Sequence, residues 1–149
     1  MKNKITPITI NIDADGTCFT HDFPLIGKDI GAVPVLKELV AAGHKLILFT
    51  MRSDKPDVTT LDPSIYGESG KYLSEAVEWF RQNDIPLYGI QSNPTQKSWT
   101  TSPKSYAILT IDDSALGCPL KLDYTLSKRP FVDWEEVRKI LVQSNLLPE

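Results

Sequence analysis

The chain has 149 residues, of which 41% are hydrophobic and 23% charged, and its formal net charge is −3. This length suits one domain with a single core, over residues 1–149. No apolar run approaches the roughly 18 residues of a membrane span, and no basic run resembles those that follow a nucleic-acid backbone. The two cysteines form neither a zinc-binding spacing nor a disulfide framework. We therefore expect a cytoplasmic protein without nucleic-acid or membrane partners.

Strand-like and helix-like segments alternate along the chain. Residues 8–12 alternate apolar and polar side chains, and the continuous apolar run at 46–49 is typical of a strand buried on both faces. The other predicted elements are helices at about 32–42 and 70–83, strands at 87–91 and 107–111, and a last helix that begins at Asp133. This order predicts a Rossmann-like, three-layer α/β/α sandwich with a mostly parallel sheet.

Three long loops follow predicted strands, at residues 17–28, 53–69 and 92–104. In an open parallel sheet such loops meet at the carboxyl edge, where ligands bind. Loops longer than about 12–15 residues in a compact domain are usually functional or disordered. We interpret residues 53–69 as a flap that faces the substrate.

The strongest chemical signal is the segment Asp13-Ala14-Asp15-Gly16 after the first predicted strand. Successive side chains of an extended chain point to opposite sides, so Asp13 and Asp15 face the same way. Gly16 then allows a sharp turn without a Cβ clash. This arrangement places two carboxylates close enough to share a metal ion. The alternative is a surface Asp-Gly turn, which would have the same sequence.

Paired carboxylates suit the hydrolysis of phosphate monoesters, which is among the slowest uncatalysed reactions. A carboxylate nucleophile divides the reaction into formation and hydrolysis of an aspartyl-phosphate. An anionic Asp13 can approach an anionic phosphate only if a divalent cation cancels their repulsion. Mg²⁺ prefers carboxylate, carbonyl, phosphate and water oxygens, and is the expected cofactor.

The chain resembles the haloacid dehalogenase (HAD) superfamily through four motifs that occur in the expected order. Residues 13–17 resemble its first motif, and the apolar strand that ends in Thr50 resembles the second. Lys104, the strand at 107–111 and the pair Asp112-Asp113 resemble the third and fourth. The resemblance extends over most of the chain.

The resemblance implies a role for each motif residue near the nucleophile. Asp13 would attack phosphorus and bind the metal. Asp15 would protonate the leaving alcohol and then activate water, while its backbone carbonyl binds Mg²⁺. Thr50 would donate a hydrogen bond to a phosphoryl oxygen.

The later motifs would supply positive charge and further metal ligands. Lys104 would neutralise the developing negative charge, provided that the preceding loop folds back over the sheet edge, and Lys97 is its substitute. Of the acidic pair, Asp113 is expected to bind the metal directly, with Asp112 in support. Each assignment has a purely structural alternative. Thr50 would then only satisfy the backbone at the strand end, and the acidic pair would form a helix cap or a turn.

The chain leaves no room for a cap domain, because one helix separates the first motif from Thr50 and residues 53–69 are too few for a lid. Closure would come from flaps or from a second copy in a homo-oligomer. Arg52, His21 and Tyr66 lie in edge loops, where they either contact substrate or form ordinary surface.

These observations predict a Mg²⁺-dependent phosphatase that acts on a small phosphorylated substrate through Asp13. The alternatives are a 5′-nucleotidase-like activity and a non-catalytic HAD-like protein that binds a metal or a phospho-ligand. Asp15 argues against the latter, since a pure binding protein has no need of a second acid.

Overall fold

The fold is organised around a parallel sheet of four strands, seen in a computed structural model that describes residues 4–54 and 70–149. The strands are β1 (Thr9–Ile12), β2 (Lys45–Leu48), β3 (Gly89–Ile90) and β4 (Leu109–Ile111). Their order is β3-β2-β1-β4, and every pairing is parallel. The predicted α/β class with a parallel sheet is confirmed, and β1 lies between β2 and β4.

Three helices accompany the sheet at the predicted places. They are α1 (Ala32–Ala41), α2 (Tyr72–Gln82) and α3 (Trp134–Gln143). The Asp133 side chain caps α3 by accepting the backbone N–H of Glu136 at 3.3 Å. An antiparallel pair, β5 (Leu120–Lys121) with β6 (Phe131–Val132), was not predicted. Within the described ranges, no helix is both long and apolar enough to cross a membrane.

One face of the sheet carries the hydrophobic core. Parallel register places Ile10 beside Leu46 and Ile12 beside Leu48, and all four side chains are buried. They share one core cluster with residues of all three helices: Leu36, Leu39, Ala76, Phe80, Val137 and Leu141. The core therefore fixes the helices against the strands that carry the motif residues.

The opposite face is held at its centre by a polar contact. The buried Asn11 side chain donates to the Ser105 carbonyl at 3.1 Å and accepts from the Ser105 hydroxyl at 2.7 Å. Ser105 lies in the segment that connects β3 to β4. The helical part of this segment is a 3₁₀ turn at Gln96–Ser98. At this position the outer layer of the predicted sandwich is a connecting segment and not a long helix.

We expect Asn11→Val to lower the free energy of unfolding by about 1–3 kcal/mol, because it leaves two buried Ser105 groups without partners. Thr110→Val is the matched control, since Thr110 lies beside Asn11 in register but is exposed. Its effect should stay within about 0.5 kcal/mol. Urea unfolding measures both, and equal losses would contradict the importance of the Asn11–Ser105 contact.

Candidate functional site

Three carboxylates meet where β1 and β4 end. Ile12 pairs with Ile111 in parallel register, so Asp13 and the Asp112-Asp113 pair leave the sheet side by side. The Asp13 N–H still donates to the Ile111 carbonyl, at 3.1 Å. One oxygen from each of the three acids lies within 4.8 Å of the others. Carboxylate oxygens are among the ligands that Mg²⁺ prefers, so the donor set suits one such ion.

Both members of the acidic pair contribute to this cluster. Asp112 Oδ1 accepts from the backbone N–H and the hydroxyl of Ser114, at 2.9 and 2.8 Å. Asp113 Oδ2 lies 2.8 Å from His21 Nε2. The preference for Asp113 as the direct ligand stays a prediction, because each acid offers an oxygen to the cluster.

The environment of Asp13 opposes its negative charge. Burial is the main cause that raises the pKa of Asp13 to about 8. The neighbouring Asp112 and Asp113 contribute to this rise, whereas the hydrogen bond from Thr17 acts in the opposite direction. A cation between the three acids would supply the missing favourable interaction with the carboxylate. Below about pH 8 the carboxyl group of Asp13 is therefore mostly protonated in the metal-free protein, and a nearby positive charge would favour its ionised form.

Thr17 and His21 fix the geometry of the cluster. The Thr17 hydroxyl donates to Asp13 Oδ2 at 2.7 Å and accepts from the Asp113 N–H at 3.0 Å, so it joins the two strand ends. The Trp134 indole donates to the Thr17 carbonyl at 2.7 Å and ties α3 to the same loop. Hydrogen bonds of this kind orient metal ligands and commonly tune metal affinity.

Asp15 makes a different set of contacts. Both of its carboxylate oxygens accept from Arg52, at 2.8 Å from Nε and 2.7 Å from Nη2. The other three N–H groups of the guanidinium reach the backbone carbonyls of Leu25, Tyr72 and Pro24. All five donors of Arg52 are thus used, and the side chain is 1% exposed. In this arrangement Arg52 serves Asp15 and three loop carbonyls, and the expectation that it also contacts the substrate stays a prediction.

The acids open into a cavity of about 560 Å³. Its described lining contains Thr50, whose Oγ1 accepts the Arg52 N–H at 3.1 Å and keeps its own hydrogen to donate. The Gln91 side chain holds the Thr50 backbone by two hydrogen bonds. It accepts from the Thr50 N–H at 2.9 Å and donates to the Thr50 carbonyl at 2.8 Å. The other lining residues are Asp13, Asp15, His21, Phe23, Met51, Arg52, Asp112, Asp113, Ser114 and Arg129.

Lys104 does not line this cavity, and neither does Lys97, in contrast to the expectation for the catalytic lysine. The buried Gln96 side chain donates to the Lys104 carbonyl at 2.9 Å and accepts from the Tyr106 N–H. This holds the segment on the Asn11 face, where Lys104 lines a separate small cleft. Neither lysine lines the cavity in this arrangement, and the assignment of the catalytic lysine stays a prediction.

The remaining site residues fall into two groups. Thr17, Gln91 and Arg129 were not assigned a role from sequence. Thr17 joins Asp13 to Asp113 and Gln91 holds Thr50, 96 and 41 positions apart, and Arg129 reaches the cavity only through the fold. The predicted flap and Tyr66 lie, apart from residues 53 and 54, outside the described residues.

No family model and no curated protein matches the chain. It is similar to a solved structure of a conserved protein from Bacteroides thetaiotaomicron, with 28% identity over 93% of each chain and a TM-score of 0.67. That description names no activity. The comparison supports the α/β fold over nearly the whole chain, and arguments about function depend on the site itself.

Gly16→Ala should disrupt the metal site. Gly16 has φ +81°, and a Cβ there would lie 2.0 Å from His21 Nε2 and 2.6 Å from Asp113 Oδ2. We expect Mg²⁺ affinity to fall about 10-fold or more, as for the loss of other groups that orient ligands. Gly117→Ala is the control, because Gly117 has φ +88° and nothing within 4 Å of its added Cβ. Calorimetric titration with Mg²⁺ measures the affinity of both variants. Equal affinities would contradict the assignment of the metal site to the residues around Gly16.

The raised Asp13 pKa predicts how stability depends on pH. Between its ordinary pKa of 3.8 and about 8, the folded metal-free protein holds a proton that the unfolded chain releases, so stability falls as pH rises. Mg²⁺ competes with that proton, and its effect on the melting temperature should be larger near about pH 8 than near about pH 6.

Asp13→Asn should remove the Asp13 contribution to both trends. Thermal melts with chelator and with Mg²⁺ across this range measure it. Identical pH profiles for wild type and Asp13→Asn would show that Asp13 does not titrate as described.

Proposed function

We propose that this protein is a Mg²⁺-dependent phosphatase, a small capless relative of the HAD superfamily, that hydrolyses a phosphate monoester through an aspartyl-phosphate on Asp13. The observation that carries the proposal is the convergence of Asp13, Asp112 and Asp113 within 4.8 Å, in one cavity with Thr50. These are the groups that phosphoryl transfer to a carboxylate needs: a nucleophile, a cation site and a donor for the phosphoryl oxygens.

The first chemical step is assigned to Asp13 and Thr50. A bound Mg²⁺ would cancel the repulsion between the Asp13 carboxylate and the phosphate. Thr17 holds Asp13 Oδ2 by a hydrogen bond of 2.7 Å and so restricts the rotation of the nucleophile. The Thr50 hydroxyl, fixed through its backbone by Gln91, would donate to a phosphoryl oxygen.

The second step is assigned to Asp15. As held by Arg52, the Asp15 carboxylate is a proton acceptor, which suits the activation of water for hydrolysis of the aspartyl-phosphate. To protonate a leaving alcohol in the first step, one Asp15 oxygen would have to leave Arg52. The geometry therefore favours the base role of Asp15 over its acid role.

The contact between Asp15 and Arg52 also favours a second candidate function, that of a non-catalytic protein that binds a metal and a phospho-ligand. In that case the Asp15–Arg52 pair would be structural, joining the nucleophile loop to the start of α2 through the Tyr72 carbonyl. The two candidates share the cation site and differ in turnover.

We expect wild-type protein to hydrolyse p-nitrophenyl phosphate only with Mg²⁺, and Asp13→Asn to lose about 10³-fold or more in kcat, because it keeps the shape and removes the nucleophile. Asp84→Asn is the matched control, since Asp84 is exposed and does not line the cavity. Its kcat should stay at the wild-type value.

A panel of phosphorylated metabolites that includes nucleoside monophosphates extends this measurement and would reveal nucleotidase-like selectivity. Turnover in Asp13→Asn would contradict the mechanism. Mg²⁺-dependent phosphate binding without turnover on any substrate would favour the binding protein.

A further inference from the structure

The cavity holds more negative than positive charge, and most of its positive charge is already used. Four of its lining residues are aspartates, and its basic residues are His21, Arg52 and Arg129. His21 contacts Asp113, and Arg52 is fully bonded to Asp15 and backbone carbonyls. Neither side chain can turn to a phosphate without abandoning a carboxylate in a partly buried site.

Arg129 differs from both of these residues. Within residues 4–54 and 70–149, its guanidinium makes no hydrogen bond or ion pair, although its side chain lines the cavity. Lys104 and Lys97 do not line the cavity. Among the described basic residues of the lining, Arg129 is therefore the one that can bind an anionic ligand without breaking an existing contact.

The backbone of Arg129 is fixed relative to the cluster of three carboxylates. Its N–H donates to Ser127 Oγ at 3.1 Å, and the following Pro130 restricts the backbone. Three residues after Arg129, the Val132 N–H donates to the Gly16 carbonyl at 3.0 Å. Since Gly16 belongs to the turn that follows Asp13, β6 carries Arg129 to the mouth of the same site.

We propose that Arg129 binds the phosphate group of the ligand and supplies the positive charge that the sequence had assigned to Lys104. This inference rests on the proposed function for the nature of the ligand. A guanidinium presents paired N–H donors that match two phosphate oxygens, and it keeps its charge at every physiological pH. Arg129 thereby offsets the carboxylates that the cation alone does not neutralise.

The test measures inorganic phosphate binding in the presence of Mg²⁺, by calorimetry and as competitive inhibition of p-nitrophenyl phosphate hydrolysis. Arg129→Ala should weaken phosphate binding about 10- to 100-fold, the usual effect of losing charge-assisted hydrogen bonds. Arg129→Lys should recover part of the affinity. Lys128→Ala removes an equal charge from the adjacent exposed residue, which does not line the cavity, and should change affinity less than about 2-fold.

The outcomes separate this inference from the proposed function. Unchanged phosphate affinity in Arg129→Ala, or an equal loss in Lys128→Ala, overturns the role of Arg129 even if the wild type is an active phosphatase. Phosphate binding that depends on Arg129 without any turnover supports Arg129 and rejects the phosphatase. A wild type that binds no phosphate overturns the role of Arg129, and one that also hydrolyses no substrate overturns both. Unchanged melting temperatures of the Arg129 variants show that the losses do not come from unfolding.

Discussion

The parallel pairing of β1 with β4 forces three carboxylates together, and the rest of the site follows from that repulsion. Asp13, Asp112 and Asp113 leave adjacent strand ends with oxygens within 4.8 Å of one another. Without a metal, the burial of Asp13 and this repulsion together favour a proton on Asp13, whose pKa rises to about 8. A cation would replace that proton and leave a nucleophile in place. The strand register that stabilises the sheet thus also brings together the acids of the proposed cation site.

The basic residues around the cluster act mainly on its acids. Arg52 brings Asp15, the loop before α1 and the first turn of α2 to one guanidinium, and its ring contacts with Phe19 and Phe23 strengthen that junction. His21 similarly holds Asp113. These contacts occupy the donors of both residues, so in the proposed function an anionic ligand would be bound by residues of other elements, such as Thr50 and Arg129.

The contact between Asp15 and Arg52 also separates the candidate functions. A phosphatase needs Asp15 to exchange protons, whereas a binding protein can keep it in a permanent ion pair. The similar structure from Bacteroides thetaiotaomicron shares the fold over 93% of the chain, and a shared fold does not decide between these functions. The difference lies in whether Asp15 accepts a proton from water while Arg52 holds it.

The sequence by itself determined the elements and the acids. Hydrophobic periodicity is local, so it located the three helices and the four strands of the parallel sheet. It also placed Asp13 and Asp112-Asp113 directly after strands whose ends must meet at one edge. Only the tertiary structure decided which partner each side chain found. Arg52 pairs with Asp15, 37 positions away, and Gln96 holds the Lys104 carbonyl on the opposite face. Such pairings depend on the paths of loops through space, which no spacing of residues along the chain encodes.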